Sequence, residues 1–278
     1  MAATLRVALA QFGSVRGDVG TNLERMRAML AEAAGEGAAL ACFPELCLSG
    51  YLLERADYTA ALLDAVHEAE RALADDGRRL GVDLVYGAPL RSPEGLANAV
   101  VLQRPGGERL VYAKTHMDVK ERRVFTPGRE FAADPEGRFG LACCYDLAFP
   151  EAIRVVALGG ARVLLVPMAW EVERGFVMRR VAAARAVENV AHLVCVNQVG
   201  AIGDLRFQGA SCVVDALGAT VLELGAEEEL AVAELDLELV DRLRDRRDGR
   251  TYPLLSDRRP ELYAPLAAPR PSEPGLET

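Results

Sequence analysis

The sequence predicts an α/β protein in which two sheets pack together and helices cover their outer faces. Each half of the chain can be written as strand, helix, strand, helix and then strands joined by turns, so the chain resembles two related half-sheets. Runs such as VLLVP at 163–167 are too apolar to alternate between a buried and a solvated face, which is typical of strands covered on both sides. Because 51% of the 278 residues are hydrophobic, the chain can bury a large core.

In the first half, apolar runs alternate with segments of helical periodicity. The polar, glycine-containing stretch 13–20 separates the first strand from the first helix, where Thr21 and Glu24 form a predicted capping box. ProGlyGly at 105–107 predicts the turn of a hairpin. The predicted elements are a strand at 5–11, a helix from about residue 22, a strand at 39–43, a helix at 58–74, a strand at 82–88 and hairpin strands at 97–103 and 109–113.

The second half repeats this order after a loop. The predicted elements are a strand at 138–144, a helix at 151–158, a strand at 162–166, a helix at 175–191, a strand at 192–197 and further strands at 209–215, 219–224 and 229–236. We expect one domain, residues 1–245. The arginine- and proline-rich tail at 246–278 lacks periodicity and is either disordered or docked on a partner subunit.

Composition and charge exclude several classes of protein. A net charge of −9, with acids and bases interspersed, argues against a nucleic-acid partner, which needs a basic face, and favours a small-molecule protein. No apolar run is long enough to cross a bilayer, and Arg6 interrupts the apolar N-terminal stretch. The six cysteines lack paired spacing and suit reduced thiols, and the three histidines form no close pair. We therefore expect a cytoplasmic protein with no membrane partner, no metal and no cofactor.

Three chemically reactive side chains follow three separate predicted strands. They are Glu45 in CFPELCLSGY, Lys114 in VYAKTH and Cys144 in LACCYDLAFPE. Each residue alone is weak evidence for a functional site, because acids and lysines at strand ends are usually solvated and free cysteines usually pack in cores. Together they make chemical sense. A carboxylate can remove the thiol proton, and an ammonium can lower the cysteine pKa and stabilise an oxyanion.

Several motifs occur together in an order that one enzyme family shares. They are FPEL followed by GlyTyr, the TyrAlaLys of 112–114, Glu121 before PheThrProGly, the CYDLAFPE segment and ArgAlaValGluAsn at 185–189. Over residues 5–263 the chain resembles the nitrilase, or carbon-nitrogen hydrolase, superfamily. The resemblance implies a four-layer αββα sandwich of the nitrilase type and a homodimer or larger homo-oligomer.

The same resemblance implies roles for individual residues. By motif position, the family's catalytic triad falls on Glu45, Lys114 and Cys144, and its additional glutamate falls on Glu121. The oxyanion donors would be the Lys114 ammonium and the backbone N–H of Tyr145. True nitrilases usually follow the cysteine with TrpGlu, whereas CysTyrAsp is similar to the amidase and carbamoylase branches.

We therefore expect a cysteine-dependent hydrolase whose substrate is a small linear amide or N-carbamoyl compound. It would release ammonia or an amine through a thioester intermediate. One alternative is a nitrilase that acts on a nitrile. The other is a catalytically silent scaffold or binding protein with the same fold.

Other side chains are candidates for the substrate pocket, and most have a structural alternative. Trp170 either lines the pocket mouth or packs as a core aromatic. Asn197 ends a strand at the same edge and either holds a substrate amide or caps a loop. We also expect Tyr51, from the GlyTyr motif, in the pocket. His116, two residues beyond Lys114, would form a Cys-His dyad with Cys144 in a different mechanism.

The neighbours Cys143 and Cys144 are easy to confuse. Successive residues of a strand point to opposite faces, so we expect only one thiol to face the pocket while the other enters the packed layer. The motif spacing selects Cys144 as the reactive residue. Cys143 is then expected to be a buried packing residue.

Overall fold

The computed structural model describes residues 4–172, 175–245 and 253–268. The first half of the chain builds most of one sheet. Along the chain the elements are β1 (Thr4–Gln11), α1 (Val19–Gly35), β2 (Leu40–Cys42), α2 (Ala60–Leu80), β3 (Asp83–Ser92), β4 (Gly95–Gln103) and β5 (Arg109–Ala113). Strands β1, β2 and β3 are parallel, and β4 and β5 add to them as antiparallel hairpins.

The second half builds a second sheet and then returns to the first. Its elements are β6 (Ala132–Ala133), β7 (Phe139–Leu141), α3 (Pro150–Leu158), β8 (Val163–Met168), α4 (Gly175–Asn189), β9 (His192–Asn197), β10 (Val199–Ile202), β11 (Leu205–Gln208), β12 (Cys212–Val214), β13 (Thr220–Glu223), β14 (Glu229–Asp236) and α5 (Leu237–Arg244). Within the described ranges the sheet orders are β14-β1-β2-β3-β4-β5 and β13-β12-β9-β8-β7-β6, and β10 with β11 forms a separate ribbon.

The two sheets pack face to face, and β1 shows how the sequence produces this. Val7 and Leu9 lie in the apolar cluster between the sheets, whereas Ala8 and Ala10 lie in the cluster beneath α1 and α2. This alternation gives the strand two buried faces. Helices α3 and α4 cover the outer face of the second sheet, so the layers run helix, sheet, sheet, helix. The predicted αββα arrangement is confirmed.

Helix α1 begins earlier than predicted and has a different cap. Its N-cap is Asp18, whose carboxylate accepts a hydrogen bond from the Thr21 backbone N–H at 3.0 Å. The predicted Thr21–Glu24 capping box is therefore wrong, because Thr21 already lies inside the first turn. Helix α2 also extends beyond the predicted end at 74 and stops where Gly81 adopts a φ of +71°.

The described part of the predicted tail, 253–268, forms short turns that are largely exposed on their own chain. The rest of the predicted tail, 246–252 and 269–278, lies outside the described residues. None of the described helices combines the length and the apolar character that a membrane crossing requires.

Gly87 in β3 allows a close approach that positions the segment after β2. A Cβ built at Gly87 would lie 2.2 Å from the Leu46 backbone nitrogen and 2.6 Å from the Glu45 Cα. The Gly87 N–H also donates to the Pro44 carbonyl at 3.0 Å. A side chain here would push the Glu45 backbone away from β3.

We expect Gly87→Ala to lower the free energy of unfolding by about 1–3 kcal/mol, the usual cost of overpacking. Gly35→Ala is the matched control, because nothing lies within 4 Å of a Cβ at that position. Thermal denaturation of both variants provides the measurement. Equal midpoints for the two would show that the close approach at Gly87 carries no energetic weight.

Candidate active site

Four reactive side chains converge between the ends of three strands. Glu45 follows β2, Lys114 follows β5, Cys144 follows β7, and Glu121 begins a short 3₁₀ turn. The exposed fractions are 0% for Glu45 and Lys114, 1% for Glu121 and 5% for Cys144. Charged side chains are almost never this buried without partners. The structure thus brings together the four residues that the sequence singled out.

The Lys114 ammonium lies between the two carboxylates. Its Nζ donates to Glu45 Oε1 at 2.8 Å and to Glu121 Oε1 at 2.7 Å. The amide of Asn98, from β4, donates to the same two oxygens at 2.7 Å and 3.0 Å. These bonds fix the carboxylates relative to the ammonium.

The two oxygens of Glu45 have different environments. Oε1 accepts hydrogen bonds from Lys114, Asn98 and the thiol of Cys143, whose Sγ lies 3.3 Å away. Oε2 is buried and has no hydrogen-bond partner among the described residues. A buried carboxylate oxygen without a donor is costly, and it is available to accept a proton.

Cys144 lies in a turn and not in the strand that the sequence predicted to reach it. Strand β7 ends at Leu141, and Cys144 is the first residue of a 3₁₀ turn that runs to Ala148. Its φ is +45°, in the left-handed region that costs a non-glycine residue roughly 1 kcal/mol. Strand alternation therefore does not separate the two thiols, contrary to the prediction, because the backbone turns between them.

The carboxylate of Asp146 holds this turn in place. It accepts from the backbone N–H of Cys143 at 2.9 Å and from the Tyr112 hydroxyl at 2.7 Å. It also accepts from Thr115 Oγ1 and from the backbone N–H of His116. One fully buried carboxylate thus ties the segment after β7 to the segment after β5.

Cys143 is fully buried, as expected of a packing residue. The expectation that it only packs is wrong, because its thiol contacts the Glu45 carboxylate. The sequence could not show this contact, which joins residues that lie far apart in the chain.

Burial and charge set the protonation of the cluster. Burial alone would lower the pKa of Lys114, but the Glu45 carboxylate and its other anionic neighbours outweigh burial and hold that pKa well above its usual value. Burial and the Glu45 carboxylate raise the pKa of the Cys144 thiol well above its usual value, although Lys114 opposes them. The sequence predicts that Lys114 lowers the pKa of the Cys144 thiol, but burial and Glu45 together outweigh this effect. Cys144 rests as a thiol and needs a base to become a nucleophile.

Cys144 lines a small cavity of about 30 Å³. Its lining includes three of the four cluster residues and also Tyr51, Asp118, Tyr145, Ala169, Trp170 and Glu171. A larger cavity of about 840 Å³ lies beside the β10–β11 ribbon, but none of the four cluster residues lines it. The reactive groups therefore place the candidate site in the small cavity.

The structure divides the predicted pocket residues into two groups. Tyr51, Tyr145 and Trp170 line the cavity. Asn197 does not. Its side-chain amide accepts from the Trp170 backbone N–H at 2.7 Å and donates to the Trp170 and Gly209 backbone carbonyls. Asn197 holds the backbone of Trp170 in place, which is the structural alternative that the sequence left open.

His116 has other partners than Cys144. Its Nδ1 lies 2.9 Å from Asp146 Oδ1, and its ring stacks on Phe149 with centroids 3.9 Å apart. These contacts leave the Glu45–Lys114–Cys144 arrangement as the better description of the site. Across the described ranges, no group of three or more His, Cys, Asp or Glu side chains could hold a metal ion.

Sequence reasoning missed Asn98 and Asp146, which organise the cluster. Asn98 had a detectable signal, because it is an amide with apolar neighbours on both sides within β4 and is fully buried. Asp146 belongs to the CYDLAFPE segment, but its five hydrogen bonds come from residues on two separate segments.

Two packed sheets flanked by helices, with a buried thiol beside a lysine and two glutamates, define a cysteine-dependent hydrolase. The comparisons with known proteins agree. A family model described as carbon-nitrogen hydrolase matches residues 6–245. The chain belongs to the carbon-nitrogen hydrolase family.

Individual relatives and solved structures similar to this chain include amidases and a nitrilase. The chain is 36% identical to an (R)-stereoselective amidase of a Pseudomonas species, over 92% of each protein. It is 32% identical to a nitrilase of Pyrococcus abyssi, over 87% of this chain and 92% of that one. The crystal structure of an amidase from a Nesterenkonia species is similar, with a TM-score of 0.82 and 32% identity over 96% of this chain and 98% of that one.

Removing the ammonium should expose the repulsion between the two buried carboxylates. We expect Lys114→Met to lower the free energy of unfolding by about 3–5 kcal/mol near neutral pH, because it leaves buried charge uncompensated. The pKa of Glu121 is raised by burial, so acidification readily protonates this carboxyl and reduces the repulsion. The loss should therefore be smaller at about pH 5 than at about pH 7.

Thermal midpoints of the parent and the variant across this pH range make the measurement. Lys120→Met, at a side chain that is 54% exposed, is the matched control and should change little. A deficit for Lys114→Met that stays constant with pH would contradict the assignment of buried charge repulsion.

Proposed function

We propose that this protein hydrolyses a non-peptide C–N bond in a small linear amide or N-carbamoyl compound through a thioester on Cys144. The observation that carries the proposal is the Glu45 carboxylate, which lies in a cluster with the Cys144 thiol and the Lys114 ammonium. One of its oxygens accepts three hydrogen bonds, and the other is buried with no partner in the part of the chain that the structure describes. This arrangement combines a base, a nucleophile and a cation in a site shielded from water. It needs no cofactor.

In the first half-reaction, Glu45 Oε2 takes the Cys144 proton while the sulfur attacks the carbonyl carbon. The carbonyl π electrons move to oxygen, where the Lys114 ammonium and the backbone N–H of Tyr145 stabilise the negative charge. Collapse of this intermediate breaks the C–N bond. Glu45 returns the proton to the departing nitrogen, so that ammonia or an amine leaves and the thioester remains.

In the second half-reaction, Glu45 takes a proton from water as the water oxygen attacks the thioester. The C–S bond breaks, the acid is released, and the proton returns to sulfur. Glu121 has a supporting role in both steps. It accepts from Lys114 and Asn98, and its Oε2 accepts from the Asp118 backbone N–H at 3.2 Å, so both of its oxygens are hydrogen-bonded and it helps to hold the ammonium in place.

The lining of the cavity bears on the choice of substrate. Asp118, Glu121 and Glu171 contribute carboxylates, and the lining cation, Lys114, is already paired with two carboxylates. No arginine occurs among the described lining residues. A small neutral or cationic amide therefore fits better than a carbamoyl amino acid, whose carboxylate would face negative charge.

Amide hydrolysis agrees with the relatives. A structure of a mutant of the Nesterenkonia amidase shows covalent addition of the acetamide moiety of fluoroacetamide at its active site cysteine, and it has 32% identity and a TM-score of 0.80 to this chain. The second candidate is a nitrilase, which the Pyrococcus relative favours. A silent scaffold is disfavoured, because four polar groups held in a dry pocket are costly without a chemical role.

The test uses a short aliphatic amide, the matched nitrile and an amide of similar size that carries a carboxylate. We expect turnover of the neutral amide, with an acyl adduct on Cys144 in the intact protein by mass spectrometry. Cys144→Ala should reduce turnover by several orders of magnitude at an unchanged thermal midpoint.

Three outcomes would contradict the proposal. An adduct on another cysteine would reject Cys144 as the nucleophile. Exclusive turnover of the nitrile would establish the nitrilase alternative, and absence of both turnover and alkylation would favour the silent scaffold.

For the whole protein, the proposal is a cytoplasmic enzyme with one catalytic domain at 1–245 and a docking tail at 246–278. The six cysteines are free and buried, which suits a reducing compartment. Large apolar side chains are exposed both on α3 and α4 and on the described part of the tail, and a second copy of the chain would cover them. They are Val155, Leu158, Val187, Leu254, Leu262, Tyr263 and Leu266.

Truncation before Asp248 tests the role of the tail. If the tail docks on a partner subunit, light scattering of the truncated protein should give a smaller mass than that of the full chain, because the apolar contact area is lost. Circular dichroism of both forms controls for folding. An unchanged oligomer would remove the tail from the interface.

A further inference from the structure

We propose that Cys143 is a positioning residue for the general base, and that its thiol fixes the Glu45 carboxylate so that Oε2 is the oxygen that takes the proton. This inference rests on the proposed function of Glu45. The motif spacing predicts only a packing role for Cys143, the residue before the nucleophile.

Three donors surround Glu45 Oε1. Lys114 Nζ at 2.8 Å, Asn98 Nδ2 at 2.7 Å and Cys143 Sγ at 3.3 Å all address this oxygen, and Oε2 has no partner among the described residues. Three donors on one oxygen and none on the other make the carboxylate inequivalent. Rotation of the carboxylate would break all three bonds, so the donors hold its orientation.

The Cys143 thiol donates its hydrogen bond to the Glu45 carboxylate. Cys143 Sγ is 3.3 Å from the charged Glu45 oxygen and 4.0 Å from Asn98 Oδ1, so the carboxylate is both the closer and the stronger acceptor. Burial, followed by the Glu45 charge, raises the pKa of Cys143 well above its usual value. The sulfur therefore keeps its proton and remains a donor while Cys144 reacts.

A backbone hydrogen bond to Asp146 holds Cys143 in position. The Cys143 backbone N–H donates to Asp146 Oδ2 at 2.9 Å, and the next residue is the nucleophile itself. Cys143 thus connects the base to the turn that carries Cys144. A shift of the turn would move the thiol and the nucleophile together.

The test compares variants that keep or remove the donor at this position. Cys143→Ala removes it, whereas Cys143→Ser retains an O–H donor of similar size. We expect Cys143→Ala to lower kcat about five- to tenfold, the worth of one ordinary hydrogen bond, because a thiol is a weak donor, with little change in KM. Cys143→Ser should restore kcat to within about threefold of the parent.

Two further readouts separate positioning from packing. With one donor lost, the ionised carboxylate is less favoured, so the acid limb of the pH profile of kcat should move to higher pH in Cys143→Ala and stay in place in Cys143→Ser. Alkylation of Cys144 by iodoacetamide, followed by intact mass, should slow in Cys143→Ala. Cys42→Ala, which removes a buried sulfur from β2, should lower the thermal midpoint without changing kcat.

The inference is overturned if Cys143→Ala behaves like Cys42→Ala, or if Cys143→Ser is as slow as Cys143→Ala. Should Cys143→Ala not fold, Cys143→Thr and Cys143→Val provide the same comparison at equal size, with the same expected order. Failure of the proposed function is a separate result, because it would appear as activity that survives in Cys144→Ala.

Discussion

The buried ammonium of Lys114 between the carboxylates of Glu45 and Glu121 is the interaction on which the rest of the structure depends. Three charges without solvent are tolerated only where their geometry satisfies them, and both N–O distances are below 3 Å. The cluster therefore requires the ends of β2 and β5 and the turn at Glu121 to meet within hydrogen-bond distance. The amide of Asn98 completes the arrangement by bonding to both carboxylates.

The burial that surrounds these charges also lowers the local dielectric constant, which affects the protonation of Cys144. It strengthens the attraction between Lys114 and the carboxylates, and it disfavours a thiolate at Cys144, whose pKa it raises. In the proposed mechanism the resting site thus keeps the Cys144 nucleophile protonated, and Glu45 is the base that removes its proton. Charge would develop only when the substrate carbonyl supplies an oxyanion for Lys114 and the Tyr145 N–H to stabilise. The near-complete burial of the four side chains maintains this environment.

Backbone strain accompanies this geometry on both sides of the site. Cys144 and Leu46, which follows Glu45, both have positive φ values, +45° and +49°. Such conformations persist only where the surroundings fix them. For Cys144 the fixing group is Asp146, through its bonds to Cys143 and Tyr112. For Leu46 it is the close approach of β3, which the missing side chain at Gly87 permits.

The sequence by itself determined the layered α/β architecture and the identity of the four clustered residues. Apolar runs and helical periodicity report which faces are buried, and the order of the motifs around Glu45, Lys114, Glu121 and Cys144 is visible without coordinates. Only the tertiary structure decided how these groups are connected. Asn98, Asp146 and the Cys143 thiol act through contacts between distant segments, which a linear pattern does not contain. The end of β7 before Cys144 was also decided in three dimensions, because the turn is held by Asp146 against the intrinsic preference of a non-glycine residue for negative φ.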